Sequence, residues 1–330
     1  MSINSKPASY AVIVPVGPTQ LEIERVSDLL ESVWTYEPQA NLCVLIDDSP
    51  QDRQLGGRVP RPPNGDIISL VNPRRGLGNP VLGGHCTSIL SCLRAIYDHG
   101  PVEMVIRLDS DALIIGSFSE SIREFVHRHP DAGMIGTLGK TCRREEPDYG
   151  WEADAPSPLV VWEQGITDEM INHARENGSS IIISDLDPIE PEALDGFISI
   201  RDHIRLAMKG GYSWLEYCQG GAYVLNFEIV IRMAQRSYLD NPIDWVCIPV
   251  AEDVVLGMYA RAVGMKIMDF SDRGQPFGVQ HQGLAYKPDE LLDRGHAIIH
   301  SVKNDRKYSE VEIRDFFWNV RTFPQRAPKD

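Results

Sequence analysis

At 330 residues, with 42% hydrophobic and 24% charged residues, the chain has the apolar mass for a sizeable core, which excludes disorder and admits one large α/β unit. Its 32 basic against 47 acidic residues give a formal net charge of −15, a field that disfavours nucleic acid and anionic membranes as partners. A small anionic ligand stays compatible with that field where an arginine cluster or a bound cation offsets it.

The first 137 residues alternate strand and helix signals. Ala11 to Val16 is a short apolar run closed by Gly17-Pro18 and reads as a buried strand. Thr19 and Glu22 form a capping-box pattern opening a helix with Val26, Leu29, Leu30, Val33 and Trp34 on its apolar face. Residues 42–46 are a second buried strand ending on Asp47-Asp48, and residues 66–71 a third. A helix follows with Ile89, Leu90, Leu93, Ile96 and Tyr97 on one face, stopped by His99-Gly100-Pro101. Residues 104–108 form a fourth strand running into Asp109-Ser110-Asp111. Ser117 and Glu120 are read as capping the next helix, before a strand over 132–137. This alternation predicts a mostly parallel sheet with helices on both faces, whose ligands bind outside the carboxyl ends of the strands.

Residues 138–215 are polar and Pro-containing, with Trp151, Trp162 and Trp214 among them, and read as loops and short elements covering the site. The pattern then sharpens. Residues 222–225 are a strand, 226–235 a helix, and another helix runs from Glu252 to about Val263. A helical segment is expected from Pro288 towards His300, and Ser309 with Glu312 caps a last one. No apolar stretch approaches the roughly 18 residues of a membrane span. None after Met1 to Lys6 is long enough for a signal peptide. The six cysteines show no C-x-x-C pair and read as free thiols, so the expected location is the cytoplasm.

Four constellations carry chemistry. In Arg107-Leu108-Asp109-Ser110-Asp111, two carboxylates one residue apart emerge from a buried strand, where they can converge on one hard cation or divide between cation and ribose. A solvated turn is the bland alternative, weakened because Leu113-Ile114-Ile115 follows at once. Glu252-Asp253-Val254-Val255-Leu256-Gly257 opens a helix, so its acids serve either as helix-end charges or as a general base. Gly220-Gly221 before a strand marks close ligand approach or a bulge. His296 and His300, at i and i+4, share one face of the expected helix, as core residues or as ligands. Arg74-Arg75, beside a glycine-rich loop, can pair with phosphate or form a surface charge pair. That loop fits neither a dinucleotide fingerprint nor a P-loop, and no G-x-S-x-G elbow is present.

Together these segments resemble the GT-A glycosyltransferases over most of the chain. Residues 11–16 look like that family's opening strand, Asp47-Asp48 like its acidic pair, and Asp109-Ser110-Asp111 like its D-x-D motif. The second half, with Gly220-Gly221-Ala222-Tyr223 and Glu252-Asp253-Val254-Val255-Leu256-Gly257, is similar to inverting β-1,3-glycosyltransferases and fringe-type enzymes. The resemblance implies a single GT-A domain over 1–330, with a donor-binding half at 1–137 and an acceptor-binding half at 138–330. It implies Mn2+ or Mg2+ on Asp109, Asp111 and His300, with His281 and His296 as rivals for the histidine. Pro15, Val16, Asp47, Asp48, Arg75, Arg107, Asp109, Ser110, Gly220 and Gly221 would then contact the nucleotide-sugar, a UDP-sugar being favoured. Asp253, assisted by Glu252, would be the base in inverting hexosyl transfer to a carbohydrate or other hydroxyl-bearing acceptor. A retaining enzyme, or a non-catalytic carbohydrate-binding or interaction protein on the same fold, are the alternatives. Those inverting relatives usually carry a membrane anchor, disulfides and an acidic triplet of three Asp residues, from which this chain departs.

Overall fold

The computed structural model describes residues 10–74, 83–139, 156–183 and 186–323. The first half follows the expected alternation: β1 (Tyr10–Val16), α1 (Gln20–Tyr36), β2 (Ala40–Asp47), β3 (Asp66–Val71), α2 (Gly83–His99), β4 (Met104–Leu108), β5 (Leu113–Ile114), α3 (Ser119–Arg128) and β6 (Ala132–Leu138). β1, β2 and β4 are mostly apolar because both of their faces are covered. Val26, Leu29, Leu30 and Val33 of α1 bury against one face of the sheet, and Ile89, Leu90, Leu93 and Ile96 of α2 against the other.

Two helix starts differ from expectation. Thr19 caps α1 by accepting the Glu22 N–H at 3.3 Å, but the Glu22 side chain turns away to Arg25 and Ser110 instead of closing the box. At α3 the Ser117 hydroxyl bonds the Tyr36 carbonyl, and the cap comes from Glu37, whose Oε1 accepts the N–H groups of Phe118 and Ser119. A carboxylate from a distant segment satisfies these orphan donors as well as a local serine does.

The middle of the chain corrects the reading of 138–215 as covering loops. It contains α4 (Pro158–Gly165), α5 (Asp168–Asn177) and α6 (Leu194–Lys209). Leu159, Trp162, Phe197, Ile200 and Ile204 belong to the same hydrophobic core as Ile13, Val105 and Leu93, so these helices form part of a layer on the sheet.

β7 (Cys218–Asn226) then enters antiparallel between β4 and β6, followed by α7 (Phe227–Gln235), α8 (Glu252–Ala262) and β8 (Lys266–Asp269). The main sheet has seven strands in the order β3-β2-β1-β4-β7-β6-β8, with β7 alone running against the rest. The α/β class with a mostly parallel sheet is the one anticipated.

The C-terminal region departs in two ways. α9 (Pro288–Asp293) stops at Gly295, which has φ +75, and Ile298–His300 forms β10. His296 and His300 therefore do not share a helix face. β10 pairs with β5 and with β9 (Phe277–Val279) in a separate three-stranded sheet, so the sheet is not one continuous surface. The last helix, α10 (Glu310–Thr322), carries the full Ser309–Glu312 capping box and seals a small core of Leu113, Ile115, Leu291, Ile299, Ile313 and Phe317.

Candidate metal centre and acid pair

Parallel pairing brings the carboxyl ends of β2, β1 and β4 to one edge, where Val16 pairs with Asp47 and the chain leaves β4 into the Asp109–Asp111 turn. Because β7 runs the other way, its first residues reach the same edge. There the Asp109 N–H donates to the Gly221 carbonyl at 2.9 Å. Where Gly136 pairs with Tyr223 and Leu138 with Cys218, the ladder slips, so Gly220-Gly221 lies in a bulge inside the strand. β10 delivers His300 from the second sheet, and the Val302 N–H ties this arm to the Asp111 carbonyl at 3.0 Å.

Asp109, Asp111 and His300 thus converge, with one ligand atom from each lying within 4.8 Å of the others. His300 Nε2 is 3.5 Å from both Asp109 Oδ2 and Asp111 Oδ1. Its Nδ1 faces the Gln280 carbonyl at 2.6 Å, which fixes the tautomer with the proton on Nδ1 and leaves Nε2 a lone pair for a cation when the ring is neutral. Asp111 is fully buried. Its Oδ2 accepts the Ser301 hydroxyl, while Oδ1 accepts no hydrogen bond and faces Lys303 Nζ at 3.3 Å. Burial raises the Asp111 carboxyl, but His300, Lys303 and Ser301 outweigh it and hold it well below the usual carboxylate range. For His300, burial lowers the imidazole, and Asp111, Asp109 and the Gln280 carbonyl more than restore it, leaving it above its ordinary value. A buried carboxylate oxygen without a hydrogen bond, beside a second carboxylate and an oriented imidazole, is a donor set that fits Mn2+ or Mg2+.

The second cluster sits on α8. Glu252 and Asp253 are 7% and 8% exposed, too buried for ordinary helix-end charges. Glu252 pairs with Arg107, whose Nη2 lies 3.0 Å from Glu252 Oε1 and 2.9 Å from Asp109 Oδ1. Arg107 is itself buried and stacked over Tyr223, 5.7 Å from the ring centroid. It bridges the two acidic clusters from inside the protein. Burial, then the charge of Glu252, push Asp253 well above its ordinary value, against the Val254 N–H and Arg107.

The two glycines explain how these groups fit. A Cβ at Gly220 would meet Asp253 Oδ2 at 3.1 Å and Glu252 Oε1 at 3.2 Å, and one at Gly221 would strike the His300 ring. The space that Gly220-Gly221 leaves open is filled by the protein's own acids and imidazole, not by a free cleft for a ligand.

The remaining candidates fall elsewhere on the edge. Asp47 is fully buried and accepts from Ser49 and Arg53, whose guanidinium also binds the Gly17 carbonyl at 2.8 Å. Burial raises its carboxyl, but Arg53 and Ser49 bring it below its ordinary value. Asp47 therefore anchors its own loop, and neither oxygen is left for a nucleoside. Asp48 is paired with Arg74 and Asn72. Val16 is buried, with its carbonyl accepting the Asp48 N–H at 3.0 Å, and Pro15 beside it is half-buried. Ser110 is buried and bonded to Glu22. Arg75 lies outside the described residues, as does Trp151. Trp162 is in the core and Trp214 is 52% exposed. His296 is removed from the cluster, bonding the Gln275 carbonyl at 2.8 Å and stacking on Tyr286.

Sequence reasoning missed Ser301, Lys303, Gln280 and Glu22, which surround the cation site. Only Ser301 and Lys303 had a usable signal, their closeness to His300; Gln280 meets His300, and Glu22 meets the turn, only through the fold.

Fold and site together define an α/β protein with a candidate divalent-cation centre at the carboxyl edge of its sheet. No protein-family model and no curated protein matches the chain. Among solved structures it is similar to the bifunctional glycosyltransferase WbbM at 11% identity and TM-score 0.49, over 97% of this chain and 51% of that one. It is similar to the glycosyltransferase GlyE of Streptococcus pneumoniae at 10% identity and TM-score 0.45, over 94% and 59% of the two chains. It is also similar to mouse xyloside xylosyltransferase 1 at 11% identity and TM-score 0.42, over 91% and 100%. The chain spans about half the length of the first of these. No helix among the described residues is long and apolar enough to cross a membrane.

Proposed function

We propose that the protein is a metal-dependent glycosyltransferase that moves a sugar from a nucleotide-sugar, a UDP-sugar being favoured, to the hydroxyl of a carbohydrate or similar acceptor. The observation that carries this reading is the convergence of Asp109, Asp111 and His300 at the carboxyl edge of the sheet. A divalent cation bound there, Mn2+ or Mg2+, supplies the positive charge that lets a diphosphate leave without being protonated. Asp111 and His300 hold that position because Ser301 and the Gln280 carbonyl fix their orientation.

In the inverting form, Asp253 accepts the acceptor's hydroxyl proton as that oxygen bonds to the anomeric carbon. The anomeric C–O bond breaks on the opposite side, and its electron pair leaves with the nucleoside diphosphate. Arg107 and Glu252 set the charge around Asp253. One observation favours the retaining alternative: burial and the charge of Glu252 raise the Asp253 carboxyl, which works against the ionised form a general base needs. The anomeric configuration of the product, read by NMR, separates the two. The donor-binding half is assigned to 1–137 and the acceptor-binding half to 138–330. A cytoplasmic setting is supported by the five cysteines among the described residues, all free.

The test is thermal stabilisation by UDP-, GDP-, CMP- and dTDP-sugars with and without Mn2+. One nucleotide should stabilise the protein only with the cation, and Asp111→Asn should abolish the effect. No cation-dependent shift with any donor would refute the reading and favour a non-catalytic carbohydrate-binding protein on this fold.

A further inference from the structure

The turn that carries Asp109 and Asp111 is held from outside as well as from within. The side chain between them, Ser110, is 6% exposed, and its hydroxyl donates to Glu22 Oε2 in the first turn of α1. Glu22 is not free to move. Its other oxygen, Oε1, takes Arg25 Nη1 at 2.5 Å, and Arg25 in turn forks onto Glu310 through Nε at 2.8 Å and Nη2 at 2.5 Å. Glu310 opens α10 and also accepts Arg314 Nε at 2.8 Å. Arg314 and Arg321 both close onto Asp28 of α1, at 2.6 and 3.0 Å. These side chains are all part-buried, where ion pairs hold their geometry better than at a free surface. The result is one chain of charge-assisted bonds from the middle of the cation turn to the C-terminal helix.

We infer that Glu22 is a positioning residue for the cation site, setting the Asp109–Asp111 turn through Ser110 and itself locked in place by the Arg25–Glu310 pair on α10. The inference rests on the reading of Asp109, Asp111 and His300 as a cation site. Its physical content is that the two acids flank a residue whose side chain is tied down. Release of Ser110 lets the turn relax and spreads the carboxylates over more orientations, and outer partners of metal ligands typically govern affinity by about 10- to 100-fold. Nothing in this arrangement requires Glu22 to touch the cation. It is near the capping position of α1, yet the Thr19 cap uses its N–H and leaves its carboxylate for Ser110 and Arg25.

The experiment is titration calorimetry of the full chain with Mn2+ alone, with thermal stability recorded in parallel. Glu22→Ala and Ser110→Ala should each weaken Mn2+ binding about tenfold or more. The double variant should be no weaker than the poorer single, because both remove the same bond. Glu310→Gln should weaken binding to a smaller degree. Glu312→Ala supplies the control, since it breaks the capping box of the same helix without touching the relay. It should lower thermal stability and leave Mn2+ affinity unchanged. Equal Mn2+ affinity in the wild-type chain and in both Glu22→Ala and Ser110→Ala would overturn the inference while leaving the cation site intact. So would additive losses in the double variant, or a loss for Glu312→Ala matching that for Glu22→Ala. An absence of Mn2+ binding by the wild-type chain would instead overturn the cation site, and the inference with it.

Discussion

Replacing Gly221 with Ala tests the site through a single methyl group. The added Cβ would lie 1.9 Å from His300 Nδ1, 2.1 Å from Cγ and 2.3 Å from Cε1, where ordinary contact begins at 3.4 Å. The backbone cannot yield, because the Gly221 carbonyl accepts the Asp109 N–H and the next residue, Ala222, pairs with Leu108. The ring must therefore recede by about 1.5 Å, against the Gln280 carbonyl that holds it. Overpacking of this kind costs about 1–3 kcal/mol. An imidazole moved that far would no longer converge with Asp109 and Asp111 on one cation. The assay is thermal unfolding across a Mn2+ series. At a hundredfold excess over its dissociation constant, a cation adds about 2.7 kcal/mol to the wild-type chain, and the variant should gain little or none of this. In a His300→Ala background the clash disappears, so the same substitution should cost much less stability. A full Mn2+ increment in Gly221→Ala would refute the argument that the glycine exists to admit the imidazole.

In the inverting form Asp253→Asn should abolish turnover while sparing cation-dependent stabilisation, and its effect on stability should depend on pH. The folded carboxyl is raised above its unfolded value, so the protonated form stabilises the wild-type fold at low pH, and that stability is lost as pH rises through the folded value. Asn has no such loss. Urea midpoints of variant and wild type should nearly coincide below about pH 4 and diverge in the variant's favour above it; a gap that narrows with rising pH would contradict the assignment. Trp162→Ala should cost about 3–5 kcal/mol in denaturant unfolding, because Trp162 is 1% exposed within the main core. A loss below 1 kcal/mol would mean that the middle helices are a detachable cover after all.

What the sequence made legible was whatever burial writes directly into residue type. Strands covered on both faces are runs rich in apolar residues, and Tyr10–Val16, Ala40–Asp47 and Met104–Leu108 are nearly the segments anticipated. The Asp109-Ser110-Asp111 turn was visible because charge follows such a run abruptly. The middle helices were not: α6 spaces Phe197, Ile200, Ile204 and Ala207 at helical intervals, but Gly196 and exposed polar residues dilute the signal. His300 was placed on a helix because i, i+4 spacing also fits a helix that ends at Asp293 and a strand that starts at Ile298. The pairing of Asp47 with Arg53 was not anticipated because Arg53 has no local signature.

Other gaps have a long-range cause. Several of the missed groups are completed by something far away in sequence: Glu37 caps α3, Glu22 takes Ser110, and Arg107 joins the cation turn to α8. Parallel sheets make this unavoidable, since strands adjacent in space are separated by whole crossover segments. The same property gives the site its character. Carboxylates collected from β4 and α8 and an imidazole from β10 are brought to one edge by elements that each have their own reason to pack there. Three acids, Asp109, Asp111 and Asp253, accordingly sit under three different influences: Asp109 against Arg107, Asp111 among His300, Lys303 and Ser301, and Asp253 buried beside Glu252. One carboxyl is held low and another high at the same edge because Asp111 sits among cationic and hydroxyl partners while Asp253 is buried beside a second acid.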